Sequence, residues 1–130
     1  MNVNVLVVDD SATVRQEVRA AIAGTGFNVI EAEDGEEGIS QIRSGEITCV
    51  VCDVNMPRKN GIQLVQEIKQ DPEYADLPIL MLTTEGAQEL ISQARDAGAI
   101  GWIIKPFKPD LLAAAVQRLA QLTTECNVPN

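Results

Sequence analysis

The chain has 130 residues, enough for one domain with a buried core. Ten Lys+Arg stand against nineteen Asp+Glu, a net charge of −9 at pH 7, which argues against non-specific nucleic-acid binding and against anionic membranes. No apolar run approaches the roughly 20 residues that span a bilayer. Met1-Asn2-Val3-Asn4 also lacks the basic region of a secretory signal, so a cytoplasmic protein is expected.

Asn4 to Val8 is apolar and β-branched and ends abruptly in Asp9-Asp10; it reads as a first strand. Ser11-Ala12-Thr13 offers capping side chains. Val14, Val18, Ala21 and Ile22 then recur on one helical face until Gly24-Thr25-Gly26 ends the helix. Phe27 to Ala32 reads as strand two. Asp34-Gly35 opens a second helix, with Ile39 and Ile42 facing inward, and Ser44-Gly45 stops it. Ile47 to Cys52 is a short, mostly apolar run typical of a strand buried on both faces, and it ends on a carboxylate, Asp53. Pro57 and Asn60-Gly61 mark the loop that follows. Ile62, Leu64, Val65 and Ile68 make a third helical face, and Asp71-Pro72 to Leu77-Pro78 is a polar loop.

Ile79 to Leu82 predicts strand four, ending in Thr83-Thr84. A fourth helix carries Leu90, Ile91, Ala94 and Ala97 and stops at Gly98. Ile100 to Ile104 predicts strand five, ending in Lys105-Pro106-Phe107. A last helix carries Leu111, Leu112, Ala115, Val116, Leu119 and Leu122. Residues 1–122 make the expected domain and residues 123–130 a short tail, with no room for an output domain. Five strand–helix alternations predict an α/β fold, with parallel strands, right-handed crossovers and helices on both faces.

Cys49 and Cys52 spell C-x-x-C, but positions three apart in a strand face opposite ways and cannot share a metal or a disulfide. Both are expected as small core residues, and Cys126 lies in the tail.

The chemistry collects at strand ends. Asp9-Asp10, Asp53, Thr83-Thr84 and Lys105 each close a strand, and in a parallel sheet those ends share one edge, where ligands bind. Taken singly, the acids could serve a helix dipole, the threonines a cap and Lys105 the solvent. Jointly they describe a site. Three converging carboxylates are tolerable around a cation, and oxygen ligands suit Mg²⁺, or Mn²⁺ in its place. Lys105 adds a compact positive charge and Thr83 a hydroxyl. Such a site stabilises transferring phosphoryl oxygens, and Asp53 itself can be the nucleophile that forms an aspartyl phosphate.

Val7-Val8-Asp9-Asp10-Ser11, Asp53-Val54-Asn55-Met56-Pro57-Arg58-Lys59-Asn60-Gly61, Leu82-Thr83-Thr84 and Lys105-Pro106-Phe107 together resemble the receiver domain of bacterial two-component response regulators, most closely the stand-alone, CheY-like chemotaxis type. The resemblance runs from about Val3 to Leu122. It implies a flavodoxin-like (βα)5 doubly wound sheet of strand order 2-1-3-4-5. It implies that Asp53 accepts a phosphoryl group from a CheA-like histidine kinase. Asp10, Asp53 and the backbone carbonyl of Asn55 would bind Mg²⁺ directly, with Asp9 acting through a water. Thr83, Thr84 and Lys105 would stabilise the phosphoryl group. Thr83 and Trp102 would form the switch, Asn55 and Glu85 would tune the phosphoryl lifetime, and the Lys105-Pro106 bond would be cis.

The implied signalling face is the fourth helix, fifth strand and fifth helix, centred on residues 97–108. Its implied partner is a downstream protein such as a flagellar switch protein, with a phosphatase as a further partner. Trp102 departs from the usual Tyr or Phe, and a core role is its alternative. Two other functions share parts of the pattern. A phosphorelay intermediate would use every site residue. A haloacid-dehalogenase-like phosphatase would want an acid two residues after the nucleophile, where this chain has Asn55, which cannot exchange that proton.

Overall fold

The computed structural model describes residues 3–56, 59–84 and 88–127, with side chains to residue 122. Strands and helices alternate: β1 (Asn4–Val8), α1 (Ala12–Ile22), β2 (Asn28–Ala32), α2 (Gly35–Ser44), β3 (Cys49–Asp53), α3 (Gly61–Lys69), β4 (Ile79–Thr84), α4 (Gln88–Ala97), β5 (Gly101–Lys105) and α5 (Pro109–Asn127). All pairings are parallel and the order is β2-β1-β3-β4-β5, the flavodoxin-like arrangement.

Alternation along the strands divides the core between two faces. Leu6, Val8, Val50, Cys52, Ile79 and Met81 pack toward α2, α3 and α4. Val5, Val7, Cys49, Val51, Leu80 and Leu82 pack toward α1 and α5. Cys49 and Cys52 therefore lie in different clusters, as free buried thiols on opposite sides of the sheet. Central β3 is buried along its whole length. Full burial of a side chain such as Val50 or Val51 contributes about 1.5–3 kcal/mol.

Local chemistry sets the helix starts. The Ser11 side chain accepts from the Val14 N–H, Asp34 accepts from Glu37, and Asn60 forms a reciprocal capping box with Gln63. The β3–α3 turn also needs the bare backbone of Gly61. A Cβ there would stand 2.2 Å from the Asp53 carbonyl oxygen and 2.8 Å from Met81 Cε.

Several boundaries differ from the expected ones. β3, β4 and β5 run on to Asp53, Thr84 and Lys105, because the backbone ladder continues where the apolar side chains stop: Asp53 pairs with Leu82, and Thr84 with Lys105. Phe27, Ile47 and Ile100 stand just outside their strands. α5 continues through residues 123–127, the stretch expected as a tail. That stretch contains no Gly or Pro to stop a helix.

Candidate functional site

The carboxyl edge of the sheet gathers the acids and the lysine. β1 ends at Val8, so Asp9 and Asp10 emerge beside the end of β3, which carries Asp53. One carboxylate oxygen from each of Asp9, Asp10 and Asp53 lies within 4.8 Å of the other two. Asp9 and Asp53 are buried and Asp10 is exposed, so the cluster has one open side. β5 brings Lys105 in from across β4, and its Nζ lies 3.0 Å from Asp9 Oδ2 and 3.0 Å from Asp53 Oδ1.

Electrostatics follow from that packing. Burial, and then the neighbouring Asp9 charge, push the Asp53 carboxyl above its usual range, while Lys105 and the Asn55 backbone N–H pull it back. Burial alone would lower the Lys105 pKa, but hydrogen bonds to Asp9 and Asp53 outweigh it and hold the ammonium above its usual range. One ammonium does not neutralise three carboxylates. An all-oxygen donor set with an open side suits a hard divalent cation that keeps several waters, so these residues fit Mg²⁺.

Thr83 is buried, and its hydroxyl donates to the Thr84 carbonyl at 3.3 Å. Thr84 is exposed beside α4. The side chain of Asn55 is exposed, and the Lys105–Pro106 peptide bond is cis. Pro57, Arg58 and Glu85 lie outside the described residues.

Trp102 is not a core residue: it is 39% exposed. β5 is an edge strand, and α4 buries only Ala94. The indole therefore stands in a cleft between them, lined by Thr84, Gln88, Ile91, Arg95 and Ile104.

Residues 5–117 match the family described as the response regulator receiver domain. The chain belongs to this family. The receiver domain is 38% identical over 119 residues to chemotaxis protein CheY-3 of Vibrio cholerae, covering 91% of this chain and 92% of that one. It is 38% identical over 109 residues to a chemotaxis protein CheY homolog of Campylobacter jejuni, covering 82% and 84%. Among solved structures, the chemotaxis response regulator CheY4 of Vibrio cholerae superposes with a TM-score of 0.85 at 36% identity, covering 92% of this chain and 99% of that one. Receiver domains typically bind Mg²⁺ at an acidic pocket of this kind.

The sequence reading missed one contributor to the receiver site, Arg15. Its Nη1 donates to the Asp9 carbonyl oxygen at 2.6 Å, and its Nε donates to Glu31 at 2.9 Å. The signal was a pair of arginines, Arg15 and Arg19, one turn apart on α1, with a glutamate at the end of the neighbouring strand. The target of Arg15 is a backbone oxygen, which no residue pattern displays.

Proposed function

We propose that this CheY-like receiver domain accepts a phosphoryl group from a histidine kinase on Asp53 and so changes its affinity for a partner at the α4–β5–α5 face. The observation that carries the reading is the Lys105 ammonium set 3.0 Å from the buried Asp53 carboxylate, beside two further acids.

In the proposed transfer, an Asp53 carboxylate oxygen attacks phosphorus, and the P–N bond of a phosphohistidine breaks with its electron pair returning to the imidazole nitrogen. Asp10, Asp53 and the Asn55 backbone carbonyl would hold Mg²⁺, with Asp9 reaching it through water. When bound, the ion neutralises charge on the phosphoryl oxygens. Lys105 pairs with one of those oxygens, and the Thr83 hydroxyl turns from the Thr84 carbonyl toward another, with Thr84 beside it. Asn55 and Glu85 govern the approach of hydrolytic water.

Thr83 and Trp102 then bias a face with two arrangements. Exposed Ile100, Trp102, Ile104 and Leu111 give that face apolar contact surface. The names of the relatives support a chemotaxis setting, in which the proposed kinase would be CheA-like and the proposed target a flagellar switch protein.

Acetyl phosphate with Mg²⁺ tests the chemistry. Intact protein should gain the mass of one phosphoryl group, and Asp53→Asn should gain none. Wild type that stays unlabelled overturns the reading. Onward transfer from phosphorylated Asp53 to a histidine phosphotransfer domain would make it a relay intermediate instead.

A further inference from the structure

The two acids at the end of β1 are held very differently. Besides its carbonyl oxygen, Asp9 has three attachments. Its N–H donates to the Ala32 carbonyl at 3.1 Å, one carboxylate oxygen accepts from the Ser11 N–H at 2.9 Å, and the other accepts from Lys105. Among the described residues, no hydrogen bond or ion pair fixes the Asp10 side chain. The direction of its carboxylate is therefore inherited from the backbone, and above all from the peptide joining Asp9 to Asp10. The carbonyl of that peptide is the one that Arg15 grips.

Arg15 is itself rigidly placed. Its side chain is only 11% exposed, and its Nε pairs with Glu31 Oε1 at 2.9 Å. The other oxygen of Glu31 accepts from Arg19 Nε at 3.1 Å and from an Arg19 Nη at 2.8 Å. Arg19 then Arg15 hold the Glu31 carboxyl below its usual range, against the opposing effect of burial. Arg19 and Glu31 already tie α1 to β2. Arg15 alone reaches past that tie to the site, and a planar guanidinium can serve both acceptors at once.

We propose that Arg15, anchored by Glu31, is the positioning residue of the acid pair: by fixing the Asp9–Asp10 peptide it aims the Asp10 carboxylate and sets the divalent-cation affinity of the cluster. This rests on the reading of Asp9, Asp10 and Asp53 as a Mg²⁺ site. Supports of metal ligands, when removed, cost about 10- to 100-fold in affinity.

The test is Mn²⁺ binding to the full chain, read by the electron paramagnetic resonance of free Mn²⁺, with Mg²⁺ as competitor. Arg15→Met should weaken both ions about tenfold. Arg19→Met breaks the same helix–strand tie without touching Asp9, and it should stay within about twofold of wild type although it too loses part of the Glu31 contact. If Arg15→Met does not fold, Arg15→Lys, which has charge but no fork, takes its place in the comparison. Arg15 variants that bind as wild type does overturn the inference, and so does equal weakening in Arg15 and Arg19 variants, which would mean general loosening. Wild type that binds neither ion overturns the metal-site reading, and this inference with it.

Discussion

The guanidinium carbon of Arg95, on α4, lies 5.0 Å from the centroid of the Trp102 ring on β5. A cation over an indole face is attracted by the ring quadrupole, by about 0.5–1 kcal/mol at an exposed site. Arg95 is exposed, so the contact belongs at that end of the range. It nevertheless favours the outward indole, and an indole that turns inward must leave it. Replacing Arg95 by Met should shift the balance between the two orientations about two- to fivefold toward the inward one. Trp102 is the one tryptophan of the chain, so its emission reports this residue alone. Quenching by acrylamide should fall in Arg95→Met and stay near wild type in Arg95→Lys. Indistinguishable quenching in all three proteins would mean that Arg95 does not hold the ring.

The Arg95 contact also marks where sequence reasoning stops. Strand count, the helix faces and the opposite orientation of Cys49 and Cys52 follow from side-chain periodicity, which a sequence displays directly. The meeting of Asp9, Asp10, Asp53 and Lys105 at one edge follows from parallel strands ending in polar residues. What escaped is of another kind. Arg15 binds a carbonyl, and carbonyls are present at every position. The exposure of Trp102 depends on how little of β5 is covered by α4, a matter of helix placement rather than residue type. The continuation of α5 beyond Leu122 lies where the apolar face has faded, so side-chain periodicity gives no sign of it.

Gly61 leaves no room for a side chain in the turn after Asp53. A Cβ would sit 2.2 Å from the carbonyl oxygen of Asp53, a backbone atom held in the strand, so the turn must move. Gly61→Ala should destabilise the fold by about 1–3 kcal/mol in urea unfolding and slow acetyl-phosphate labelling of Asp53. Gly24 makes the control. A Cβ there meets nothing within 4 Å, and its φ is not in the left-handed region, so Gly24→Ala should cost nothing and gain up to about 1 kcal/mol. Equal losses in both variants would remove the special role of Gly61.

Burial raises the Cys49 thiol to about 12 and pushes Cys52 higher still, with the Asp53 and Asp9 charges adding to the rise at Cys52. Thiolate is the reactive form, so neither should react in the native protein near neutral pH. Peptide mapping after brief iodoacetamide treatment should find both unmodified without denaturant and both modified in guanidinium. Native alkylation at Cys52 would show that the α2–α3–α4 side of the sheet opens far more readily than its packing implies.

Lys105 sets the pH dependence of the site. With Lys105→Met, Asp9 and Asp53 remain buried with no ammonium between them, and breaking a buried pair in this way costs about 3 kcal/mol. The sign at low pH comes from Asp53. Its folded pKa lies above the ordinary 3.8, so the fold prefers the protonated acid, and stability is lost as pH rises through the folded value. Removing the counter-charge enlarges that preference. The deficit of Lys105→Met should therefore be full at neutral pH and shrink as pH falls through the Asp53 titration toward 3.8. At high pH the wild type changes. The folded pKa of Lys105 lies above 10.5, so its contribution is complete below 10.5 and lost as pH climbs through the folded value, which narrows the gap again. Stability difference against pH should trace a broad maximum between those limits. Mg²⁺, held by the acids as proposed, would supply the alternative counter-charge. At a hundred times its Kd it should stabilise wild type by about 2.7 kcal/mol, an effect that EDTA reverses and Asp53→Asn reduces. A pH-independent deficit, unrelieved by Mg²⁺, would mean that Lys105 packs against the acids without neutralising them.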